Sequence, residues 1–422
     1  MKFSEVLEIK NGKNQKQVEN PNGKYPIYGS GGIMANKVKL KNISTVITKG
    51  TTPTSLGFDF VVDGINFVKI ESINDDGTFV LEKFAHINSE CNEKLKRSQL
   101  QENDILFSIA GAIGRTAIVT KDILPANTNQ ALAIIRIPKG KINYRFLLYA
   151  LHSNSIMQQY DKQKQGVAQL NLSLQNISDF EIPLFSDEVQ NKIVYVLSKV
   201  DDLIADRTKQ LKHLENLVKS RFIEMFGEPQ DNPKGYEKRQ LKETCKVITG
   251  NTPSRAVSEY YGEHIEWIKT DNIVSGLINP TTAVESLSEK GLEVSRTVEK
   301  DSILMACIAG SVSSIGRVCI TDRKVAFNQQ INAIVPNDYN IRFLYVLLQI
   351  SKEHLVEGIN MALKGILSKS KLEEKVFIVP PKELQDQFAT FVEQTDKLKF
   401  EVKQSLEKLE MLKKALMQEY FG

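Results

Sequence analysis

The sequence predicts an α+β (mixed α/β) fold in which two copies of a globular domain are separated by two long α-helices. Three observations support it: an internal repeat, a heptad pattern in each predicted long helix, and short β-rich runs that do not alternate regularly with helices. The predicted segments are an N-terminal extra segment 1–36, a domain 37–185, a central helix 186–227, a domain 228–381 and a C-terminal helix 382–422. We expect the helices to pair as an antiparallel coiled coil and to give the chain a pseudo-two-fold repeat.

The strongest repeat lies in the predicted helices. No proline or glycine occurs between Pro183 and Gly227, which allows a helix about 60 Å long. When each residue from 188 to 227 is compared with the residue 195 positions later, 12 of the 40 positions are identical. The second copy ends at Gly422. Arg207 interrupts the apolar seam of the first helix. The predicted seam residues of the two helices are Ile193, Leu197, Val200, Ile204, Leu211, Leu214, Val218, Phe388, Val392, Val402, Leu406, Leu409 and Leu416.

A second repeat relates the globular segments at offsets near 200. Short motifs recur in the same order, with offsets that drift between 195 and 202, so insertions are expected in loops. The matching pairs include Gly50-Thr-Thr-Pro53 with Gly250-Asn-Thr-Pro253, Ile113-Gly-Arg115 with Ile315-Gly-Arg317, and Asn129-Gln130 with Asn328-Gln329. The sequence therefore predicts two units, each a globular domain of about 150 residues followed by a 40-residue helix.

Local patterns predict the elements inside each unit. Amphipathic spacing favours a helix over Tyr144–Gln159 and a counterpart over Ile341–Glu353. A short segment, Asn171–Asp179, leads through Ile182-Pro183 into the first long helix. The run Glu228–Gly235 is rich in proline, glycine and polar residues and indicates a linker.

The first 36 residues do not fit the repeat. Phe3–Gly12 has the alternation of a strand, Tyr25–Gly32 has the composition of a loop, and a new start follows at Val38–Gly50. We interpret this segment as the truncated opening of another domain, a remnant of domain exchange. The alternative is an added strand and loop of the first domain.

Composition restricts the class of protein. The chain has 55 Lys and Arg against 51 Asp and Glu, a net charge of +4 that neither requires nor excludes nucleic acid. No run of 18 apolar residues and no signal peptide is present. The four cysteines have no CxxC spacing, so the simplest expectation is a reducing cytoplasm with neither a disulfide framework nor a zinc site.

Motifs of catalysis are largely missing. The sequence has no P-loop, no HExxH helix, no GxGxxG fingerprint and no Asn/Asp-Pro-Pro-aromatic motif. The five histidines lack ligand spacing, and a surface loop explains Gly29-Ser-Gly-Gly32 better than a phosphate site does. We therefore predict no catalytic residues, no metal site and no cofactor bound by this chain.

The repeated loops instead carry polar chemistry suited to DNA. Hydroxyls and cations can bind phosphates, and amides can pair with adenine in two hydrogen bonds. For each residue alone, closing a turn is the more frequent role, and the occurrence in two copies supports only the group. The predicted DNA-binding residues are Lys49, Thr51, Thr52, Thr54, Ser55, Lys69, Ser108, Arg115, Asn129, Gln130, Thr252, Ser254, Arg255, Lys269, Asn272, Ser313, Ser314, Arg317, Asn328, Gln329 and Gln330.

The outer faces of the long helices form a second candidate surface. Packing of the two helices on each other is the usual reason for a heptad seam. We expect exposed Lys and Glu, with Phe222, Ile223 and Phe226, to serve as a docking surface for another protein.

This arrangement resembles the specificity subunit of type I restriction-modification systems over residues 37–422. The resemblance is carried by the two globular segments alternating with similar long helices, the junction Phe226-Gly-Glu-Pro and the opening Ile248-Thr-Gly-Asn-Thr-Pro-Ser254. It implies that each globular segment is a target recognition domain for one half of a split DNA sequence. It also implies that the helices form the spacer between the half-sites.

The resemblance also implies partners. Two modification subunits would carry S-adenosylmethionine and methylate adenine N6, and restriction subunits would use ATP and magnesium for translocation and cleavage. The chain itself would be non-catalytic, bound to double-stranded DNA and not to a membrane. The alternatives are an orphan or rearranged subunit that acts as a coiled-coil scaffold without productive DNA recognition, and a stand-alone nuclease or methyltransferase, for which a cofactor motif is missing.

Overall fold

The computed structural model describes residues 27–29, 32–34, 36–161, 171–309, 314–358 and 365–422. Contacts divide the chain into two compact units. Unit 1 comprises Met1–Asp206 and Leu406–Gly422, and unit 2 comprises Arg207–Ser405. Each unit therefore contains part of both long helices.

Unit 1 is built from short strands and short helices. Its strands are β1 (Ile27–Gly29), β2 (Gly32–Met34), β3 (Asn36–Lys39), β4 (Val46–Lys49), β5 (Ile65–Val68), β6 (Ala85–Ile87), β7 (Ile105–Ser108), β8 (Thr116–Ile118), β9 (Ala126–Thr128), β10 (Leu132–Arg136) and β11 (Glu181–Leu184). Its short helices are α1 (Ser89–Lys94), α2 (Tyr144–Leu151), α3 (Asn154–Asp161) and α4 (Leu174–Ser178), and α5 (Asp187–Phe226) is the first long helix.

Two sheets form the centre of unit 1. One is antiparallel in the order β4-β10-β7-β8, and the other has the order β6-β5-β9, with β5 and β9 parallel. Strand β11 returns the chain antiparallel to β3, so the beginning and the end of the globular segment are joined directly before α5 starts. This mixture of parallel and antiparallel pairs confirms the predicted mixed α/β class.

Unit 2 repeats these elements. Its strands are β12 (Glu237–Gln240), β13 (Cys245–Thr249), β14 (Tyr261–Gly262), β15 (Ile265–Ile268), β16 (Ser286–Leu287), β17 (Thr297–Val298), β18 (Ile303–Ala306), β19 (Ile308–Ala309), β20 (Val318–Ile320), β21 (Val325–Phe327), β22 (Ile331–Pro336), β23 (Gly365–Ile366) and β24 (Val376–Val379). Its helices are α6 (Leu241–Thr244), α7 (Glu289–Glu293), α8 (Ile341–Ile350), α9 (Lys352–Val356), α10 (Lys369–Glu374) and the second long helix α11 (Lys382–Phe421).

The sheet order of unit 2 matches that of unit 1. The sheet β13-β22-β18-β20 corresponds to β4-β10-β7-β8, and the parallel pair β15–β21 corresponds to β5–β9. Strand β24 pairs with β12 as β11 pairs with β3. The internal repeat of the sequence is thus a repeat of strand order and register.

Both long helices begin and end at similar residues. The acidic Asp187 and Glu188 lie in the first turn of α5, where negative charge is favourable beside the free N–H groups. Gly227 follows the last turn with φ +77°, and Gly422 follows α11 with φ +85°. This left-handed conformation suits glycine and closes a helix.

In unit 2 the segments of the two helices run antiparallel. Arg207 Nε donates to Ser405 Oγ at 3.2 Å, the Arg221 guanidinium lies 6.0 Å from the Phe391 ring, and the rings of Phe222 and Phe388 are 5.4 Å apart. As the residue numbers rise along α5, the numbers of their partner residues in α11 fall. In unit 1, the ion pair between Asp201 and Lys413 (2.7 Å) and the packing of Phe421 on Phe146 (5.3 Å) join the remaining segments.

The seam residues of both helices face inward. Their side chains are buried or half-buried along the whole length, and burial is deepest near the globular sheets, at Ile193, Leu197, Phe388 and Val392. Arg207, which interrupts the apolar pattern, is half-buried and keeps its polar groups bonded to Ser405 and Gln210. None of the described helices is both long and apolar enough to cross a membrane.

Several predicted details were wrong. The helix over Tyr144–Gln159 is interrupted, because the Ser153 hydroxyl accepts the Ile156 N–H and begins a new helix, α3. Part of the loop Tyr25–Gly32 is a hairpin in which β1 pairs with β2. The predicted strand Phe3–Gly12 lies outside the described residues.

The prediction that Phe222 and Phe226 form a docking surface was also wrong. Both side chains are fully buried, and they pack with Phe343 and Phe388 in the core of unit 2, while Ile223 is half-buried against the same core. Their apolar character therefore serves the attachment of the long helices to the globular part of the unit.

Replacing Phe222 by alanine should destabilise unit 2 strongly. Removing a buried phenyl ring from this aromatic cluster costs about 3–5 kcal/mol of unfolding free energy. Leu217→Ala, at an exposed position on the same helix, is the matched control and should change the free energy by less than about 0.5 kcal/mol. Urea unfolding followed by circular dichroism measures both, and equal effects of the two variants would contradict the assignment.

Candidate nucleic-acid interface

In unit 2, three strands end at one edge and bring polar loops together. Strands β15 and β21 are parallel, with Ile268 opposite Phe327, so the residues that follow them lie side by side. The loop after β13 joins them, because the Asn251 N–H donates to the Phe327 carbonyl at 3.1 Å. Lys269, Asn328 and the loop 249–255 therefore share one edge.

Unit 1 has the same arrangement. Strands β5 and β9 are parallel, with Val68 opposite Thr128. The Gly50 N–H, directly after β4, donates to the Asn129 carbonyl at 3.1 Å. We call these two regions the strand-end surfaces: residues 49–55, 69, 129 and 130 in unit 1, and residues 249–255, 269 and 328–330 in unit 2.

The repeated glycine explains how the loops approach so closely. A Cβ atom on Gly50 would lie 1.8 Å from the Thr128 carbonyl oxygen, and one on Gly250 would lie 2.2 Å from the Asn328 carbonyl oxygen. Only a residue without a side chain fits at either position. The repeat thus preserves a backbone contact on which both strand-end surfaces depend.

A threonine–glutamine hydrogen bond links the loops in both units. The Thr52 hydroxyl donates to Gln130 Oε1, and the Thr252 hydroxyl donates to Gln329 Oε1. Both glutamines are exposed. The bond from the threonine hydroxyl holds the oxygen of each side-chain amide, and it thereby fixes the direction of the NH₂ group. A positioned, exposed amide can pair with a base edge.

Cations lie over aromatic rings on both surfaces. Lys69 Nζ is 4.4 Å from the Phe60 ring centroid, and Lys269 Nζ is 5.0 Å from that of Trp267. In unit 2 the Arg255 guanidinium also lies 4.4 Å from the Tyr261 ring. Such contacts hold a flexible cation in place without neutralising its charge.

Among the described residues, an acid joins this cluster only in unit 2. Glu285 Oε1 is 2.7 Å from Lys269 Nζ, and its Oε2 is 2.6 Å from Arg255 Nη2. The hydrogen bonds from Lys269, and then those from Arg255, lower the pKa of the Glu285 carboxyl. The group is therefore ionised at neutral pH. At the corresponding register position in unit 1, opposite Phe67, the chain has Ala85.

Several predicted DNA-binding residues make hydrogen bonds within the loops. Ser108 is fully buried, and its hydroxyl bonds the Ala112 carbonyl and the Arg115 N–H. Asn272 accepts the Lys269 N–H at 3.0 Å and donates to Thr281. Asn328 is buried. Its Nδ2 donates to Gln330 Oε1, and its Oδ1 accepts the Gln330 N–H within the same turn. These side chains are committed to closing the loops.

The paired arginines behave similarly. Arg115 donates from Nη1 to the Ile73 carbonyl at 2.9 Å and from Nη2 to Asp75, and Arg317 donates to the Ser314 and Thr270 carbonyls. Each arginine ties the glycine-containing turn to the loop that follows the parallel strand. Ser314 is half-buried beside this turn, and Ser313 lies outside the described residues.

The remaining predicted residues are accessible on the two surfaces. Half-buried members are Thr51, Thr52, Lys69, Asn129, Lys269 and Gln330, with the Asn129 carboxamide oxygen accepting the Ala131 N–H. The exposed members are Lys49, Thr54, Ser55, Gln130, Thr252, Ser254, Arg255 and Gln329. The structure thus groups these residues at two equivalent edges, and their contact with DNA remains a prediction.

Sequence reasoning missed residues that reach the unit 2 surface from elsewhere in the chain. Exposed Arg296 donates from Nη1 to the Thr249 carbonyl at 2.7 Å, and its N–H donates to Asn251 Oδ1 at 2.8 Å. Glu285 and Tyr261 were missed as well. Arg296 and Glu285 stand in segments without a repeated motif, so only the folded chain brings them to this edge.

The chemistry of these surfaces suits contact with a polyanion. Hydroxyls, amides and cations can bond phosphates and base edges. Among the described residues, no three His, Cys, Asp or Glu side chains group as a metal site. Burial raises the pKa of the Cys245, Cys307 and Cys319 thiols to about 12, so these thiols are poor nucleophiles.

Comparisons with known proteins agree with the repeat. Residues 1–216 and 233–411 match the family described as Type I restriction modification DNA specificity domain. The type I restriction enzyme MjaIX specificity subunit of Methanocaldococcus jannaschii is 26% identical over 378 residues, which cover 84% of this chain and 85% of that protein.

Two solved structures share the fold. A chain from work on complex assembly and conformational transition of the type I R-M system has a TM-score of 0.59 at 17% identity, covering 91% of this chain and 97% of that chain. The type I restriction-modification S subunit from M. genitalium has a TM-score of 0.54 at 15% identity, with coverage of 92% and 96%.

Proposed function

The chain belongs to the family of type I restriction-modification DNA specificity subunits, and we propose that it reads a bipartite DNA target with one half-site for each unit. The family is one of non-catalytic subunits that recognise DNA. The observation that carries the bipartite proposal is the strand-end surface, present once in each unit with the same backbone contact and the same threonine–glutamine bond. Two equivalent reading surfaces fit a target in two parts.

Each surface combines two kinds of contact. Lys49, Lys69, Lys269 and Arg296 supply cations for phosphates, which position a protein on DNA without reading its sequence. Gln130 and Gln329 supply amides held for base edges, and Arg255 supplies a guanidinium that matches guanine. The differences between the units, such as Ser55 against Arg255, would give the two half-sites different sequences.

The long helices serve in this proposal as the spacer and as the docking surface for two modification subunits. Four exposed leucines support the docking role. Leu203 and Leu398 match at the offset of 195 and are 44% and 51% exposed, and Leu217 and Leu412 match likewise at 48% and 47%. Single exposed leucines are common, but the same exposed leucine at both copies of a repeat needs a reason beyond packing.

Each unit carries one leucine of each pair. In unit 1, Leu203 and Leu412 flank the ion pair between Asp201 and Lys413. In unit 2, Leu217 and Leu398 flank the equivalent positions, Val218 and Asp396. Two equivalent patches fit two copies of one partner. S-adenosylmethionine would then belong to the modification subunits, and ATP and magnesium to the restriction subunits.

Altering the threonine–glutamine pair of one unit should relax one half-site only. The double variant Thr252→Ala, Gln329→Ala loses the positioned amide of unit 2. It should therefore lose about 1–3 kcal/mol of discrimination at the base that this amide reads. Co-expression with the modification subunit and mapping of N6-methyladenine measure the result. The variant Thr52→Ala, Gln130→Ala should relax the other half-site, and His213→Ala, exposed on α5, should leave the motif intact. A methylated motif without two parts would refute the proposal.

Lengthening both helices should widen the gap between the half-sites. Seven residues inserted after Leu211 and seven after Glu401, its opposite position in the antiparallel numbering, add about 10.5 Å and nearly two whole turns. Since base pairs stack about 3.4 Å apart, the gap should grow by up to about three base pairs with both half-sites unchanged. An unchanged gap in a complex that still methylates would exclude the spacer role.

Charging the leucines of one unit should remove one partner copy. Leu203→Asp with Leu412→Asp should reduce the assembly from two modification subunits to one, and the further changes Leu217→Asp and Leu398→Asp should remove the second, because an aspartate does not pack in an apolar interface. Leu81→Asp, exposed at 56% outside the long helices, is the control. Mass photometry counts the subunits; full assembly with all four aspartates would disprove this docking site.

A further inference from the structure

The cluster around Glu285 distinguishes the two strand-end surfaces. In unit 2, Arg255 and Lys269 are both bound to the Glu285 carboxylate, at 2.6 and 2.7 Å. In unit 1 the positions that correspond to Arg255, Glu285 and Lys269 hold Ser55, Ala85 and Lys69. Unit 2 therefore has an additional cation and an additional anion, and the two units keep the same net charge at these positions.

Glu285 binds two cations of the kind that bind DNA phosphates. Both of its oxygens accept charge-assisted hydrogen bonds from two cations that are themselves fixed over Tyr261 and Trp267. The carboxylate is one-third exposed, so DNA can reach the cluster, and a phosphate must compete with Glu285 for the same donors. A cation that is already paired contributes less to non-specific attraction than a free one.

We propose that Glu285 is a specificity-determining residue of unit 2, acting as an intramolecular competitor of DNA phosphate for Arg255 and Lys269. Contacts to the backbone of an unrelated sequence are too weak to displace it. A correct half-site supplies base contacts as well, and it releases Arg255 from the carboxylate. The inference rests on the proposed DNA-reading function and assigns to one residue the suppression of indiscriminate binding.

The test compares non-specific DNA binding of full-length variants. Glu285→Ala introduces the side chain that unit 1 has at the matching position while Arg255 stays in place, and Glu285→Gln removes the charge while keeping the shape. Fluorescence anisotropy with a random-sequence duplex, measured between about 50 and 200 mM salt, gives the affinity and its salt dependence. Asp338→Asn is the matched control, because it removes an ion-paired carboxylate (2.7 Å from Arg239) beyond the opposite end of the β13–β22 strand pair.

Both Glu285 variants should bind the random duplex more tightly than the wild type. One more phosphate contact steepens the log–log salt slope by about 0.9, so a fourfold rise in salt should cost the variants about 3.5-fold more affinity than it costs the wild type. The reciprocal variant Ala85→Glu should weaken non-specific binding, because it gives Lys69 a carboxylate at the same register position. Asp338→Asn should follow the wild type.

Two results would overturn the inference while leaving the proposed function in place. Unchanged non-specific affinity in both Glu285 variants means that the carboxylate does not compete with phosphate. Weaker binding in both means that it supports the DNA contact, for instance by accepting from a cytosine amino group. If neither the wild type nor any variant bound DNA, the proposed function and the inference would both be refuted.

Discussion

A buried glutamine near the start of each long helix fixes that helix to its globular segment. Gln190 Oε1 accepts the Asn143 N–H at 2.9 Å, and its Nε2 donates to the Phe185 carbonyl at 2.8 Å. Gln385 makes the same pair of bonds, with Asn340 and Pro380. Asn143 and Asn340 in turn cap the N-termini of α2 and α8. Loss of one buried amide would leave its two backbone partners unpaired, at about 1–3 kcal/mol for each.

This joint has consequences for the whole unit. It sets the direction in which the long helix leaves the sheet, and the aromatic residues at the far end of each helix, Phe226 and Phe421, then complete a core of the unit in which they lie. Each unit thus requires the beginning of one long helix and the end of the other. A unit built in this way cannot be exchanged without preserving both helical segments, which is a physical reason for the helices to repeat more faithfully than the loops.

The sequence predicted the framework well because periodicity and repetition are local signals. Both long helices, their ends and the order of the repeated motifs follow from spacing alone. The break at Ser153 was missed, because the apolar periodicity of the sequence is the same on both sides of this serine. The periodicity does not show that the serine hydroxyl starts a new helix. Phe222 and Phe226 were misplaced for a related reason. A heptad pattern cannot show that a wider apolar face packs against a globular core as well as a partner helix.

The sequence predicted the residues of the candidate site as a group. Only the structure distinguishes the side chains that are bonded within the turns from those that are accessible. Ser108, Asn272 and Asn328 have residue types that suit contact with DNA, and only the structure shows that their side chains are hydrogen-bonded within the turns. Arg296 and Glu285 reach the surface from segments without a repeated motif. Repetition between the units therefore marks what holds the surface together, whereas the residues that differ are the candidates for reading sequence.

In the proposed function, this division would let one framework serve two different half-sites. The glycine contact, the threonine–glutamine bond and the cation after the parallel strand occur in both units. In the proposed function, their shared task would be to position the loops and to bind the DNA backbone. Ser55 and Ala85 against Arg255 and Glu285 change the donors and acceptors without changing the net charge at these positions. If the proposed function holds, keeping that balance would let the two surfaces differ in base preference while neither dominates DNA binding through charge alone. In a bipartite reader both halves must contribute, because a unit that bound any DNA tightly would remove the requirement for the other half-site.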